Sequence, residues 1–390
     1  MKPIKFNDLS AQWSIIEPEV MPKVQQFLRD GHYIGGPYVE AFEKEFAEYT
    51  GSKYAIGTSN GSDGLKLAIE ALDIEGDINV IVPANGFMAD VFAAKYQKRG
   101  KYTITFVDHD ENFQMDVDLL EKHVDSVRNK FHHIVILPVH LYGHPANMPR
   151  IMEIAERAKA HVIEDASQAQ GAYCYGKMVG SWGDIAVYSL YPGKNLGACG
   201  DAGIITTNSE FYKNRLMMLR NYGSPKKYHH DIDGWNHRLD PLQAIILSEK
   251  LKHLDEWNFA RLEVAKEYLR LLSGVNGIEL PKTASHVNIN AYHIFPILLD
   301  NYLVRSTLIK HLEEKGIPTI IHYPIALQSC KCNQDLIHGD NSSTSFTTSM
   351  NQFRLLSLPI HPFMEKDQIE YVCNTTKEFL NDTHKLHNPS

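Results

Sequence analysis

Asp184-Ile-Ala-Val-Tyr-Ser189-Leu-Tyr-Pro-Gly-Lys194-Asn-Leu-Gly-Ala-Cys-Gly-Asp-Ala-Gly203-Ile-Ile-Thr-Thr207 sets two short apolar runs around a glycine-rich loop with one lysine. Ile185–Ser189 and Gly203–Thr207 are short and β-branched, which reads as buried strands. Glycines 193, 197, 200 and 203 crowd the backbone around Lys194. Most lysines are solvated, and a glycine-rich segment can simply turn the chain. A lysine enclosed between buried strands is different. Lost hydration lowers its pKa, and a neutral amine can attack a carbonyl.

Outward from this segment, strands alternate with helices. Strands are predicted at Ile78–Val82, Thr103–Val107, His133–Val139 and His161–Asp165. Helices are predicted at 38–49, from Ser62 onward, at Pro149–Ala160 and at Glu210–Arg220. The alternation implies an α/β domain with a mixed, mostly parallel sheet flanked by helices. Ligands collect beyond the carboxyl ends of such strands, where Asp165, Ser189 and Lys194 fall. A long helix is expected over Asp240–Leu254, continuing with a kink past Asn258. We place the domain change there. Residues 1–255 form a large domain with an N-terminal helical segment, and 256–390 a smaller α+β domain. In the latter, elements are expected at Tyr292–Leu298, Leu303–Lys315, Pro318–Tyr323 and Glu365–Leu380, and a Ser/Thr-rich surface loop at Gly339–Ser349.

The 390 residues are 43% hydrophobic and 22% charged, with net charge −8, which argues against a general nucleic-acid binder. The N-terminal residues lack an apolar signal-like run, and no stretch is long enough to span a membrane. Cysteines 174, 199, 330, 332 and 373 are odd in number and mostly far apart, which suits reduced thiols in the cytoplasm. Cys330-Lys-Cys332 lacks a second pair at zinc spacing, so no metal is expected.

Thr58-Ser-Asn-Gly61-Ser62-Asp-Gly64 precedes a helix and could present N–H groups to a phosphate; a plain helix cap by Ser62 is the rival reading. Its spacing is not the dinucleotide fingerprint Gly-x-Gly-x-x-Gly. Gly171-Ala-Tyr-Cys-Tyr-Gly176-Lys177-Met178 imitates a triphosphate-binding loop, but Met178 stands where Ser or Thr is required. Asp165 ends the strand His161-Val-Ile-Glu-Asp165, 29 residues before Lys194. A buried carboxylate needs a partner, and a protonated pyridine nitrogen is one; an ordinary capping role is the other. A phosphate loop, a carboxylate and a lysine in this order fit pyridoxal 5′-phosphate, held as a Schiff base on Lys194.

Five further stretches extend the pattern: Tyr33-Ile-Gly-Gly-Pro37, Val82-Pro-Ala-Asn-Gly-Phe87, Val139-His-Leu-Tyr-Gly143, Gly234-Trp-Asn236-His-Arg238-Leu-Asp240 and Leu356-Ser-Leu-Pro359. With the Lys194 segment, they resemble the DegT/DnrJ-type nucleotide-sugar aminotransferases of the fold-type I pyridoxal-phosphate class, from about residue 4 to 377. The resemblance implies that Lys194 carries the cofactor and that Asp165 pairs with its ring nitrogen. It implies Gln168 near the ring's phenolic oxygen, Gly61, Ser62 and Ser189 at the phosphate, and Phe87 stacked on the ring. Asn236 matches a phosphate ligand that reaches over from a second subunit, so a homodimer with shared active sites is implied. Lys227 and Tyr228 match a segment contacting the nucleotide diphosphate, and His322 and Tyr323 a loop beside the sugar. A solvated charge remains the alternative for Lys227, a turn for Asn236, and packing for Phe87, His322 and Tyr323.

The implied reaction moves an amino group from L-glutamate to a keto-sugar nucleotide. The wording around Lys194 is closest to relatives that aminate C3 of dTDP-3-keto-6-deoxyhexoses. A C4 aminotransferase and a sugar dehydratase of the same family are alternatives, although the dehydratases carry His at the lysine. A non-catalytic sugar-nucleotide regulator is an alternative of another class. Five departures stand out. Asp165-Ala-Ser-Gln-Ala-Gln170 replaces a usual Asp-Ala-Ala-Gln-Ala-His, Gly86 stands where Thr is common, and His237 and Pro241 replace Ser and Glu. They bear on the substrate more than on the reaction type.

Overall fold

A computed structural model of the protein describes residues 2–95, 97, 99–336 and 346–387. The chain begins with α1 (Leu9–Asp30) and α2 (Pro37–Thr50), then alternates β1 (Tyr54–Thr58), α3 (Gly61–Ala71), β2 (Asp77–Pro83), α4 (Met88–Lys95) and β3 (Lys101–Val107). Next come α5 (Val117–Val127), β4 (His133–Ile136), α6 (Met148–Ala158) and β5 (His161–Asp165). A small hairpin, β6 (Tyr173–Cys174) and β7 (Lys177–Met178), leads to β8 (Ile185–Ser189), β9 (Gly203–Thr207) and α7 (Glu210–Leu219). Helices α8 (Pro241–Leu251) and α9 (Leu254–Leu272) follow. The C-terminal part holds β10 (Ile278–Glu279), β11 (Val287–Ile289), β12 (Phe295–Leu299), α10 (Tyr302–Glu314), α11 (Phe346–Asn351), β13 (Leu355–Leu358) and α12 (Lys366–His387).

Seven strands form the central sheet in the order β1-β9-β8-β5-β4-β2-β3. The pairs β2/β3, β2/β4, β4/β5 and β5/β8 are parallel, and β9 runs antiparallel to both neighbours. The inner strands are continuous apolar runs because helices cover both faces. One face packs Ile81, Ile136, Ala186 and Tyr188 against α2, α5 and α6. The other packs Val80, Val135, Ile163 and Val187 against α3 and α4. A third core joins Ile4 to Val264–Leu272, Phe295, Leu308, Leu356 and Leu380, so the passage from one core to the other falls inside α9. No described helix is long and apolar enough to cross a membrane.

Several expected elements end elsewhere. The strand predicted to reach Val139 stops at Ile136, because Pro138 has no N–H for the ladder. Its carbonyl still accepts from Asp165 N at 2.9 Å, which aligns the two chain ends. The long helix over 240–254 is two helices divided at Lys252–His253. Pro241 opens α8 in the first turn, where a missing N–H is harmless. The strand expected from Tyr292 starts at Phe295, since Tyr292 has φ +39°. Pro318–Tyr323 is not a strand; only Ile320 pairs, with Ser357. Of the loop expected over 339–349, residues 339–345 lie outside the described residues and 346–349 belong to α11.

Candidate active site

The turns after β1, β2, β5 and β8 all open at the carboxyl ends of their strands, onto one cavity of about 730 Å³. Gly61, Ser62, Asp165, Gln168, Ser189 and Lys194 line it from the sheet, with Phe87 also on its wall. His293, His322 and Tyr323 close it from the C-terminal part.

Lys194 sits in a loop fastened from several sides. Asn7 Nδ2 donates to Gly193 O at 3.0 Å, and the buried Lys250 Nζ donates to Gly197 O at 2.6 Å. Asn195 Nδ2 donates to Asn258 Oδ1 and Ala291 O, both at 2.8 Å. The Lys194 amine itself makes no hydrogen bond or ion pair among the described residues. Burial lowers it to about 8, against the opposing pull of Asp165 and Asp90. Two imidazoles beside it stay neutral. Burial and then the Lys194 charge push His322 down to about 4, and the same causes, with Arg261, hold His293 well below its usual value.

This shift has a sign that can be checked. Between about pH 8 and the ordinary lysine value of 10.5, the unfolded chain holds a proton that folded Lys194 has released. This group alone therefore makes stability rise with pH in that window and costs stability below it. In the cofactor-free protein, we expect acylation of Lys194 to rise with a midpoint near pH 8, ahead of the exposed lysines. A midpoint among the surface lysines, read by peptide mass spectrometry, would contradict the burial argument.

Asp165 Oδ1 accepts from Ser167 N at 2.9 Å, and the residue lines the cavity. Gln168 is oriented by its neighbours. Its Oε1 accepts from Tyr142 N at 2.7 Å, so its NH2 faces Tyr323 Oη, 3.1 Å away, and the cavity. At the other end, α3 points its N-terminus inward, and the first N–H groups of a helix have no acceptor inside it. The cap is Asn60, whose Oδ1 accepts from Asp63 N at 2.8 Å; Ser62 is not the cap. Gly61 is required because a Cβ there would stand 2.7 Å from Ser189 Cβ.

Three departures noted in the sequence lie against this frame. Ser167 Oγ accepts from Ser189 N at 3.0 Å, and Gln170 Nε2 donates to Ser189 O at 2.8 Å, so both fasten the end of β8. His237 Nδ1 lies 3.1 Å from Asp63 Oδ2 at the start of α3. Burial opposes ionisation of Asp63, but hydrogen bonds from His237, Ser59 and Asn60 keep its pKa below the usual value. Ser167 also lines the cavity, whereas Gln170 and His237 act only on its frame.

Not every expected residue reaches the cavity. Phe87 does line it, 51% exposed and 5.5 Å from the Tyr323 ring, so it is not a core residue. Asn236, Lys227 and Tyr228 are exposed and do not line it; Tyr228 is 83% exposed, with Lys227 Nζ 5.2 Å from its ring. Sequence reading missed Asn7, His293 and Asp90. The first two come from chain segments remote from any motif, and Asp90 hides among the apolar residues that open α4.

A profile of the DegT/DnrJ/EryC1/StrS aminotransferase family matches residues 14–377. The chain belongs to this family. Among these aminotransferases it is 37% identical over 376 residues to a dTDP-3-amino-3,4,6-trideoxy-alpha-D-glucose transaminase of Streptomyces venezuelae, covering 96% of each chain. It is 39% identical over 378 residues to a dTDP-3-amino-3,6-dideoxy-alpha-D-galactopyranose transaminase of Aneurinibacillus thermoaerophilus, covering 96% of this chain and 99% of the other. A crystal structure of S. venezuelae DesV in complex with a ketimine intermediate superposes with a TM-score of 0.89 at 36% identity, covering 97% and 99% of the two chains.

The cofactor of DegT/DnrJ/EryC1/StrS aminotransferases is pyridoxal 5′-phosphate, and the residues present fit it. One cavity is lined by a helix N-terminus, two hydroxyls, a carboxylate and an amine that makes no hydrogen bond among the described residues. A phosphate, a pyridine nitrogen and an aldehyde are the groups such an arrangement suits.

Proposed function

We propose that this aminotransferase moves the amino group of L-glutamate to C3 of a dTDP-3-keto-6-deoxyhexose. The observation that carries the reaction is the unengaged, depressed amine of Lys194 in one cavity with Asp165 and the start of α3. The names of the two relatives above support the sugar. When bound, pyridoxal phosphate supplies a carbonyl for amines and a ring that draws electrons from the bond being broken.

The chain's residues do the rest. Gly61, Ser62 and Ser189 bind the phosphate at the α3 N-terminus. Asp165 keeps the proton on the ring nitrogen, and Gln168 donates to the phenolic oxygen from an amide already locked by Tyr142 N. Phe87 covers one ring face and excludes water. Lys194 Nζ, whose burial favours the neutral amine, takes the proton from the α-carbon of the donor and returns one to the new amine-bearing carbon of the sugar. His322 and Tyr323 face the sugar, and burial keeps the His322 imidazole neutral.

A second copy completes the site in this reading. Asn236, Lys227 and Tyr228 stand exposed outside their own cavity, available to a neighbour's phosphate and nucleotide. Sedimentation showing only monomer at enzyme-assay concentrations would remove this part.

The reaction is tested with 15N-labelled glutamate and a panel of keto-sugar nucleotides, read by mass spectrometry. Label is expected in a dTDP-3-amino sugar. Label only in C4-amino products would overturn the position, and none in any sugar would overturn the acceptor class.

A further inference from the structure

Behind Asp165 lies a second carboxyl that the reaction above does not use. Asp90 is on the first turn of α4 and is fully buried. It does not line the cavity. Its Oδ2 accepts from Phe87 N at 3.1 Å, and Phe87 O in turn accepts from Asp90 N at 3.1 Å. The other oxygen, Oδ1, finds no donor among the described residues. Two charged side chains act on it, Asp165 and Lys194, and with Asp165 the interaction is side chain to side chain.

Two ionised carboxylates cannot hydrogen-bond to each other; such a contact needs one proton between them. The surroundings decide which group carries it. Asp165 Oδ1 already accepts from Ser167 N, and its carboxylate borders the cavity that Lys194 shares. Asp90 is sealed from solvent, with one backbone donor for two oxygens. Burial first, then the charge and hydrogen bond of Asp165, hold Asp90 well above the usual carboxyl value; Phe87 N and the Lys194 charge pull the other way. The start of α4 also favours an anion, but a helix terminus is a small effect beside a like charge in a dry site. Tyr323 also feels both carboxyls.

Gly86 makes room for the arrangement. A Cβ at 86 would stand 2.8 Å from Asp90 Oδ2. Gly86 and this aspartate are therefore coupled.

We propose that Asp90 is a positioning residue: as a neutral acid it donates a hydrogen bond to Asp165, so that two buried carboxyls hold one negative charge directed at the cofactor's ring nitrogen. This rests on Asp165 facing that nitrogen, as read above. A carboxylate held by a donor keeps one orientation. Asp90 thus helps aim the Asp165 carboxylate at the ring nitrogen, where electron withdrawal needs it.

The test compares wild type, Asp90→Asn and Asp90→Ala. Infrared spectra of the cofactor-free protein at neutral pH are expected to show a buried carboxylic-acid C=O stretch in wild type that is missing from both variants. Its absence from wild type, or its persistence in Asp90→Asn, overturns the proposal. Equilibrium binding of pyridoxal phosphate to the same proteins is the second readout. Asn keeps a donor of the same shape and is expected within about threefold of wild type, whereas Ala loses a hydrogen bond to a charged group, about tenfold or more. Equal losses in Asn and Ala overturn the donor role, even where pyridoxal phosphate still attaches at Lys194.

Discussion

Lys194→Ala is expected to lower kcat by about a hundredfold to ten-thousandfold, the range for losing a positioned proton-transfer group. The same variant should melt no lower than wild type. The amine makes no hydrogen bond among the described residues, so its removal strands no partner. Below pH 8 it also removes a buried charge that costs stability. Fixation at the loop comes from Asn7, Asn195 and Lys250, which the substitution leaves in place. Activity and thermal unfolding together separate chemistry from folding: a kcat within tenfold of wild type contradicts the role, as does a loss of activity that merely follows a loss of fold.

The largest expected loss of stability comes from Glu164, the residue beside Asp165. It is fully buried on β5. Its Oε1 accepts from Trp182 N and Gly183 N, both at 2.7 Å. Its Oε2 accepts from Gly180 N at 2.7 Å and from His140 Nε2 at 3.1 Å. His140 Nδ1 accepts from Ala146 N, which leaves the ring proton on Nε2. One carboxylate thus satisfies three backbone donors in the turn that feeds β8, the strand ending at Ser189. Glu164→Ala strands all of them at once, a loss of about 3–5 kcal/mol. Hydrogen exchange should show the amides of residues 180, 182 and 183 losing protection first. Unchanged protection there would mean the carboxylate does not hold the turn.

The sheet was legible because its inner strands hold short apolar runs, as in Val80–Val82 and Ile185–Tyr188. Their periodicity needs no tertiary information. Strand β1 escaped because Tyr54–Thr58 is short and interrupted by Gly57, and it is held as an edge by pairing to β9, where Thr58 meets Gly203, 145 positions on. The ends of β4 and β12 were misplaced where a proline and a left-handed tyrosine override β propensity. In the site, Lys194, Asp165 and the α3 start sit at strand ends and carry local signals. Asn7, His293 and Asp90 carry none, because what makes them part of the site is a contact 186 residues away for Asn7, 98 for His293, and burial against Asp165 for Asp90. A Glu and an Asp adjacent in a buried parallel strand were the one available warning that charged groups are clustered there.

One measurement bears most directly on the account: reduction of the pyridoxal-phosphate-loaded protein with borohydride, followed by digestion and mass mapping of the lysines. Lys250 provides an internal comparison. It too is buried and depressed, but its amine is already tied to Gly197 O and Gln12 Oε1. The pyridoxyl mass is expected on Lys194 and on no other lysine. Finding it on Lys250 or a surface lysine, or on none in fully loaded protein, would contradict the assignment of the site.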